Sequence, residues 1–534
     1  MSNELEIKNV APNTAMTYSY NQYWFYQWVN NSAFYVLANP QYWNFYNRWV
    51  RNWLYWYDGF VPYVHNQQSG IFSTRIGTTI VNRTTDNILG GGLMFANSDS
   101  VYEKDENGVS KALDFISNRW SEAVGFKSVV KKAVRYAGAG GTSLLKLNGG
   151  NKGLWLESVR MDRFFADIDY QGHIKRVKSY LATYTKTVPG GKDNNIEQYY
   201  LVEERYFVEL PLEKDVPVVE YKVYRLNGQV ENFDLSGATV VGLNWEDIHK
   251  SIRKAIKEDY GDIKLNAPNR LPFENDLGCR CVRITDGISN LPQVQFGESL
   301  LSNILSYLYS YDYYFSCLNT DMYLGRGRVM VPKGLTGNKR GSGYNSGLDD
   351  FMYTKVEYQT TEDKKIEPVQ FDLRASEWKE IRNNLIESMA TALGISVSTL
   401  ASYLSDGSNR TAREVSAEEK GTTLFTEEKR RLIEQPINEI LRLVLRYYGY
   451  IDDVKIRWSK AGMTNISLLT STLREAKQAG LVSARKAYSM WNFDDDEQQI
   501  QSGYEEMLKE QEEEERKKSE MFGSMDFENY GDSE

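Results

Sequence analysis

The sequence predicts an α+β protein with several hydrophobic cores, and three observations support this fold class. The chain has 534 residues, more than a single core usually serves. Its middle consists of runs rich in β-branched and aromatic residues, which are typical of strands. Its second half has long stretches with apolar residues at helical spacing. A hydrophobic content of 41% and a charged content of 25% agree with a soluble globular protein.

The first 65 residues form an aromatic-rich arm, densest between residues 18 and 63. Tyrosine and tryptophan bury large areas and keep a polar tip, so one interpretation is a docking arm for another protein chain. A second is a local aromatic core under the arm's own helices. A third, stacking on single-stranded nucleic acid, has only Arg48 and Arg51 as interleaved positive charges.

Helices are predicted over 72–89, 111–118 and 126–137, before a glycine-rich turn and a β-rich middle region. Gln171-Gly172 predicts a turn, and Asn227-Gly228 predicts a β-hairpin between alternating runs. Residues 245–258 predict a short charged helix.

A stalk with a tip is predicted from residue 298 onward. A helix over 298–322 is followed by a glycine-rich segment with two strand-like runs, RVMVP and KVEYQTT. A second helix then runs from Ser376, its expected N-cap, to Gly394, its expected stop.

The stretch LASYLSDGSNRTAREVSAEEKGTTLF, residues 400–425, predicts a polar loop and then a strong helix start. Thr411 and Glu414 fit a capping box, which satisfies two backbone donors at the first turn. The helix should run over 412–447 and kink at Pro436. A helical hairpin and an acidic tail from Asp494 are expected to follow.

Catalytic, metal and cofactor sites are not expected. Three histidines, His65, His173 and His249, are widely separated, and the cysteines form no metal pair or disulfide framework. Cys279 and Cys281 predict two buried thiols on one strand face; Cys317 is the third cysteine. The start MSNELEIKNV has no signal-peptide pattern, no run of about 18 apolar residues predicts a membrane span, and synthesis in a reducing cytoplasm is expected.

The glycines at 138–141 leave one enzymatic alternative, a phosphate-binding loop. A P-loop needs a strand before the glycines and a helix after them, whereas this segment predicts the reverse order, with Lys146 inside the strand. A close-packed helix-to-strand turn is the ordinary interpretation. Asp494 to Glu497 could suggest a metal cluster, but adjacent helical carboxylates point apart, so a solvated charge run is expected.

Several local patterns, in order, resemble the portal proteins of long-tailed, siphovirus-like double-stranded DNA bacteriophages. They are TRIGTTIVNRTTDNILGGGLMF, ALDFISNRWSEAVGFKSVVKKAVRYAGAGGTSLLKL, MDRFFADIDYQGHIKRV, and ALGISVSTL followed by a Ser/Gly loop and TAREV. The resemblance covers about residues 70–490. The aromatic arm departs from the family pattern.

The resemblance implies a portal-type fold: a mixed α/β wing, a two-helix stem, a small β-containing clip, a long kinked helix and a helical crown. Its parts would be the arm (1–65), wing (66–295), first stem helix (296–322), clip (323–375), second stem helix (376–394), tunnel loop (395–410), long helix with wing return (411–464), and crown with acidic tail (465–534).

The implied site is a DNA channel. The tunnel loop would present Ser402, Ser405, Asp406, Gly407, Ser408, Asn409 and Arg410, with Thr411 and Glu414 capping the next helix. Subunits would meet through stem residues Leu301, Leu305, Leu308, Tyr311 and Phe315. The net charge of −9 favours a neutral or acidic lumen, since fixed cations would hold the phosphates.

The implied partners are other copies in a ring, typically twelve, the major capsid protein, the large terminase, and a head-completion adaptor or tail proteins. Double-stranded DNA would pass without sequence specificity, and no membrane is expected. The ring would assemble in the host bacterial cytoplasm and sit at one virion vertex. Two rival classes remain: a nucleotide-binding enzyme, and another virion protein such as a tail or baseplate adaptor.

Overall fold

Helices and mainly antiparallel sheets make up the computed structural model, which confirms the α+β class. The structure describes residues 8–9, 49–59, 73–90, 93–97, 110–150, 153–168, 174–188, 195–208, 216–227, 239–260, 264–267, 269–270, 281–286, 297–324, 328–332, 353–356, 367–369, 375–404, 412–458, 473–475, 483, 488, 503–509, 512–513 and 516.

The helices agree closely with the sequence-based expectations. They are α1 (Arg51–Asp58), α2 (Ile76–Leu89), α3 (Lys111–Asp114), α4 (Ser121–Val124), α5 (Phe126–Gly140), α6 (Lys250–Tyr260), α7 (Leu305–Leu324), α8 (Ala375–Leu393), α9 (Val397–Leu404) and α10 (Ala412–Tyr447). A π-helical segment, Phe115–Trp120, joins α3 to α4, so the helix predicted at 111–118 extends further than expected.

The strands in the described part of the chain form four sheets. They are β1 (Lys8–Asn9), β2 (Leu93–Asn97), β3 (Thr142–Gly150), β4 (Gly153–Arg160), β5 (Phe164–Ile168), β6 (Ile174–Val188), β7 (Asn195–Val208), β8 (Val216–Asn227), β9 (Thr239–Leu243), β10 (Asn269–Arg270), β11 (Cys281–Thr285), β12 (Arg328–Pro332), β13 (Tyr353–Val356), β14 (Glu367–Val369) and β15 (Val454–Trp458). The largest sheet has the order β1-β6-β7-β8-β10, with β5 also on β6 and β9 also on β8. The smaller sheets are β11-β3-β4, β13-β12-β14 and β15-β2.

The hairpin predicted at Asn227-Gly228 needs a correction. Strand β8 does end at Asn227, but Asn227 lies opposite Thr239, so the pairing strand begins well beyond Gly228. The physical reason is burial: Leu243 of β9 joins a core cluster with Ile248 and with Ile252 of α6.

Part of the aromatic arm belongs to the core of the chain. Trp53, Leu54 and Trp56 of α1 are buried, in a cluster that also contains residues of α2, α7 and α8. Residues 50–58 are therefore part of a core shared with the rest of the chain, not of a core confined to the arm's own helices. The rest of the arm, apart from Lys8, Asn9, Trp49 and Gly59, lies outside the described residues.

A buried ion cluster joins the β11-β3-β4 sheet to the large sheet. Lys146 Nζ of β3 lies 3.0 Å from Glu157 and 3.4 Å from Glu203 of β7. Arg205 Nε donates to Glu203 at 2.7 Å, and its Nη1 donates to the carbonyl of Leu147 at 2.9 Å. Lys146, Glu203 and Arg205 are almost fully buried. Their ion pairs and hydrogen bonds compensate for the hydration that these charged groups lose on burial.

The long helix α10 is bonded to the body along its second half. Lys429 Nζ lies 2.7 Å from a carboxylate oxygen of Asp286, and Arg430 donates to the carbonyl of Ile88 at 2.7 Å. The helix is continuous through Pro436. The kink expected there stays a prediction.

Candidate functional site

Helices α7 and α8 pack against each other, with the strands of the β13-β12-β14 sheet between them in sequence. Near the end of α7, Asp321 accepts a hydrogen bond of 3.0 Å from Trp378 Nε1, near the start of α8. The Trp378 ring also meets Tyr314 edge-on, with 5.4 Å between centroids. These contacts make the pair antiparallel, as expected for a stalk whose tip is the small sheet.

A buried carboxylate ties α7 to the body. Asp312 accepts hydrogen bonds from the backbone nitrogen and the hydroxyl of Thr74, at 3.0 and 2.6 Å. Thr74 lies just before α2, so this contact holds the middle of α7 against the first helices of the body.

The stem residues expected to contact a neighbouring subunit pack inside the chain. Leu301, Leu308 and Tyr311 are buried, and Leu305 and Phe315 pack against the same cluster. Leu301, Leu308 and Tyr311 are thus covered by their own chain, whereas Leu305 and Phe315 are partly exposed. A subunit contact through these five residues stays a prediction.

The two helices differ on their exposed sides. Exposed α7 side chains include Tyr309 and Tyr313, whereas exposed α8 side chains include Glu377, Glu380 and Glu387. The three glutamates follow one another at intervals of three and seven residues, so they share one face of α8.

The segment between α8 and α10 contains more helix than the sequence suggested. Gly394 ends α8 with a φ of 73°, as predicted for a left-handed C-cap. Val397–Leu404 is helix α9, so Ser402 lies on a helix rather than in a loop. Residues 405–411, which include the predicted loop residues Ser405 to Arg410 and the predicted cap residue Thr411, lie outside the described residues. The capping box with Glu414 stays a prediction.

A hydroxyl cluster connects α9 to α10 at the base of this segment. The Ser396 backbone nitrogen donates to the Thr422 hydroxyl at 3.0 Å, and the Thr399 hydroxyl lies 3.1 Å from it. Ser396 also caps α9, because its side chain accepts from the Thr399 nitrogen at 3.1 Å. The helices on both sides of 405–411 are thereby held together.

The glycines at 138–141 form the close-packed turn that was the ordinary interpretation. Gly141 has a φ of 85°, and a Cβ there would lie 2.2 Å from the carbonyl oxygen of Gly297. Leu300 and Ser299 donate to the carbonyl of Gly138, both at 3.0 Å. The chain's own segment 297–300 thus occupies a helix C-terminus, the wrong helix end for binding a phosphate.

Lys146, which the P-loop alternative would place on a phosphate, lies instead in the buried ion cluster. Burial alone would raise the pKa of Glu203, but Arg205 and Lys146 outweigh it and lower that pKa below its ordinary value of 4.5. Cys281 is buried as predicted, and burial raises the pKa of its thiol. Cys317 is half-buried, and Cys279 lies outside the described residues.

No group of three or more His, Cys, Asp or Glu side chains in the described part of the chain could hold a metal ion. The acidic run Asp494 to Glu497 lies outside that part. Among the helices that the structure describes, none combines the length and the apolar content that a membrane span requires.

The arrangement agrees with the class that the sequence resembles, a portal subunit: a mixed body, an antiparallel helix pair with a small sheet, and a long helix. The family model for phage portal protein, SPP1 Gp6-like, matches residues 174–520, more than half of the chain. The chain therefore belongs to this portal family, which is structural rather than enzymatic and forms oligomers at a capsid vertex. No curated protein matches the chain.

Proposed function

We propose that the protein forms a ring-shaped channel at one vertex of a tailed, siphovirus-like phage capsid. Double-stranded DNA would enter through this channel during packaging, be retained by it, and leave through it at ejection. The observation that carries the proposal is the helix pair α7–α8, which ends in a small sheet and leads directly into α9 and α10.

The parts of the chain receive the following roles in this proposal. The body within 66–295 is the wing, α7 and α8 are the stem, and residues 323–375 are the clip. Support for the clip comes from its three short strands, which the two stem helices bracket. Because Val397–Leu404 is helical, the proposal confines the tunnel loop to the part of 395–410 that follows α9, residues 405–410. Residues 465–534 are the crown.

Electrostatics supports a conduit rather than a clamp. Each phosphate that a fixed cation neutralises strengthens a salt-dependent attachment, which would resist sliding. The net charge is −9, and α8 exposes Glu377, Glu380 and Glu387 on one face. A ring of α8 helices turned toward the axis would give DNA an acidic wall that it passes without being held.

Partners are assigned by position. The clip would meet the large terminase during packaging and a head-completion adaptor or tail proteins afterwards, while the wing would meet the major capsid protein. The crown, with its acidic tail, would face the capsid interior and repel packed DNA. A ring of twelve subunits follows the family pattern.

Electron microscopy of the purified full-length chain tests the proposal most directly. We expect a closed ring with an axial hole, and particles assembled with the chain should package DNA. A compact monomer at all concentrations, or an assembly without an axial hole, would contradict the proposed function. Truncation after Phe493 should leave the ring and terminase binding intact, since the clip is unchanged.

A further inference from the structure

The exposed face of α7 carries no charged side chain over four turns. The positions that share this face lie three or four residues apart, and each is exposed or half-buried. They are Ser306, Tyr309, Ser310, Tyr313, Cys317 and Thr320. We call this set the α7 hydroxyl face.

Two aromatic rings lie at its centre. Tyr309 is 44% exposed and Tyr313 is 52% exposed. Their rings stack with 6.5 Å between centroids and an angle of 10° between planes. The rings are thus ordered against each other while much of their surface meets solvent.

A helix face that stays in water usually carries charge, as the exposed face of α8 does with Glu377, Glu380 and Glu387. The centre of the α7 hydroxyl face, with Tyr309 and Tyr313 and no charged side chain, resembles an interface centre instead, where tyrosine is enriched and lysine and glutamate are depleted. Helices α7 and α8 pack against each other. Their position in the fold therefore does not explain why α8 exposes charged side chains and the α7 hydroxyl face does not.

The chemistry of the face selects the partner. Tight binding of nucleic acid is disfavoured, because α7 has no Lys, Arg or His in its sequence to neutralise phosphates. Its many hydroxyl groups suit neither a lipid surface nor a purely apolar groove. A second copy of the chain fits, because the family is oligomeric and α7 lies within the matched residues.

We propose that the α7 hydroxyl face packs against a second copy of this chain, with Tyr309 and Tyr313 at the centre of the contact. This inference rests on the proposed ring. In a closed ring, neighbouring subunits meet through different surfaces, so the face needs no matching face of its own kind. It replaces the buried stem residues as the subunit contact of α7.

The double variant Tyr309→Lys/Tyr313→Lys tests the proposal in the full-length chain, with oligomer distribution measured by mass photometry over a range of concentrations. The subunit concentration for half-assembly should rise about tenfold or more, because two charges would be desolvated at the contact. Tyr307→Lys is the matched control. Tyr307 is also a tyrosine of α7 and is 36% exposed, but it lies outside the α7 hydroxyl face. This control should change the subunit concentration for half-assembly by less than about twofold.

A second measurement needs no variant. Alkylation of Cys317, followed by peptide mass spectrometry, should be slower in the assembled wild-type ring than in dissociated subunits, since the contact would cover it. Assembly of the double variant at the wild-type concentration, or equal alkylation of Cys317 in both states, would overturn this inference and leave the ring intact. A wild-type chain that never assembles would overturn the proposed function as well.

Discussion

Two contacts inside the subunit hold large parts of the chain together by opposite means. The β11-β3-β4 sheet and the large sheet, which we propose belong to the wing, meet through buried charges, Lys146, Glu203 and Arg205. Helices α7 and α8, which we propose form the stem, meet mainly through Leu308, Tyr314 and Trp378, which are buried or packed ring against ring. Charged groups need their own partners at short distance, whereas apolar groups need only matched volume.

The difference predicts which disturbance each contact tolerates. The charged contact should be sensitive to pH and to the loss of any single partner, because a stranded buried charge is very unfavourable. The apolar contact should respond to removed volume and be indifferent to pH. The wing would thus keep one orientation of its sheets, while the stem pair could adjust slightly.

The largest effect on stability is expected for Glu203→Ala, because Lys146 and Arg205 stay buried and lose the carboxylate that pairs with both of them. The free energy of unfolding should fall by about 3–5 kcal/mol, measured by urea denaturation. Glu258→Ala is the control, because Glu258 pairs with Lys254 at the surface, and a loss below about 0.5 kcal/mol is expected there. Equal effects of the two changes would contradict the comparison.

Leu308→Ala in α7 should lower the free energy of unfolding by a similar or slightly smaller amount. Leu308 is fully buried, so the truncation removes apolar contacts and leaves a cavity, at a cost of about 2–5 kcal/mol. Leu424→Ala, which truncates an exposed leucine, should change stability little. Differential scanning calorimetry of both variants would measure the contrast, and a neutral Leu308→Ala would place that side chain outside the core.

The pH dependence of stability should separate the two contacts. The pKa of Glu203 is lower in the folded state, so its contribution is complete above its ordinary value of 4.5 and is lost as pH falls through the folded pKa. One such group contributes at most about 1.4 kcal/mol per pH unit. Glu203→Gln should therefore flatten acid unfolding below pH 4.5, whereas Leu308→Ala should keep the wild-type slope. Parallel curves for all three proteins would refute the assignment.

A smaller effect is expected at the hydroxyl cluster between α9 and α10. Thr422→Val removes the acceptor of the Ser396 nitrogen and should lower the free energy of unfolding by about 1 kcal/mol. Thr422→Ser keeps the hydroxyl and should recover much of that loss. If valine and serine behave alike in thermal unfolding, the cluster has no role in stability.

The smallest effect on stability is expected for the segment Ser405 to Asn409. Replacing it with a Gly-Ser linker should leave thermal unfolding nearly unchanged, because Ser, Asp, Gly and Asn side chains offer little apolar area to bury. DNA packaging or retention should fall, since the proposed lining of the channel would be lost. Both should be measured in the same particles; wild-type packaging would make the segment a plain connector, and a dissociated ring would make it structural.

Local signals determined the elements whose residues interact within a few turns. The long helix was predicted over 412–447 and is Ala412–Tyr447, because its apolar spacing lies within the segment itself. The pair α7–α8 and the strand RVMVP between them were predicted for the same reason. The ordered series of such local patterns was also enough to suggest the portal family.

Tertiary structure decided which side of each element faces inward. Helix α7 has apolar or aromatic residues all round, so its sequence did not show that Leu308 is buried and Tyr313 exposed. That choice depends on α1 and α8, which pack on one side of α7. Lys146 and Glu203 meet only because two sheets bring distant strands together. Burial and pairing depend on neighbours far apart in the chain, and a sequence pattern confined to one element does not specify them.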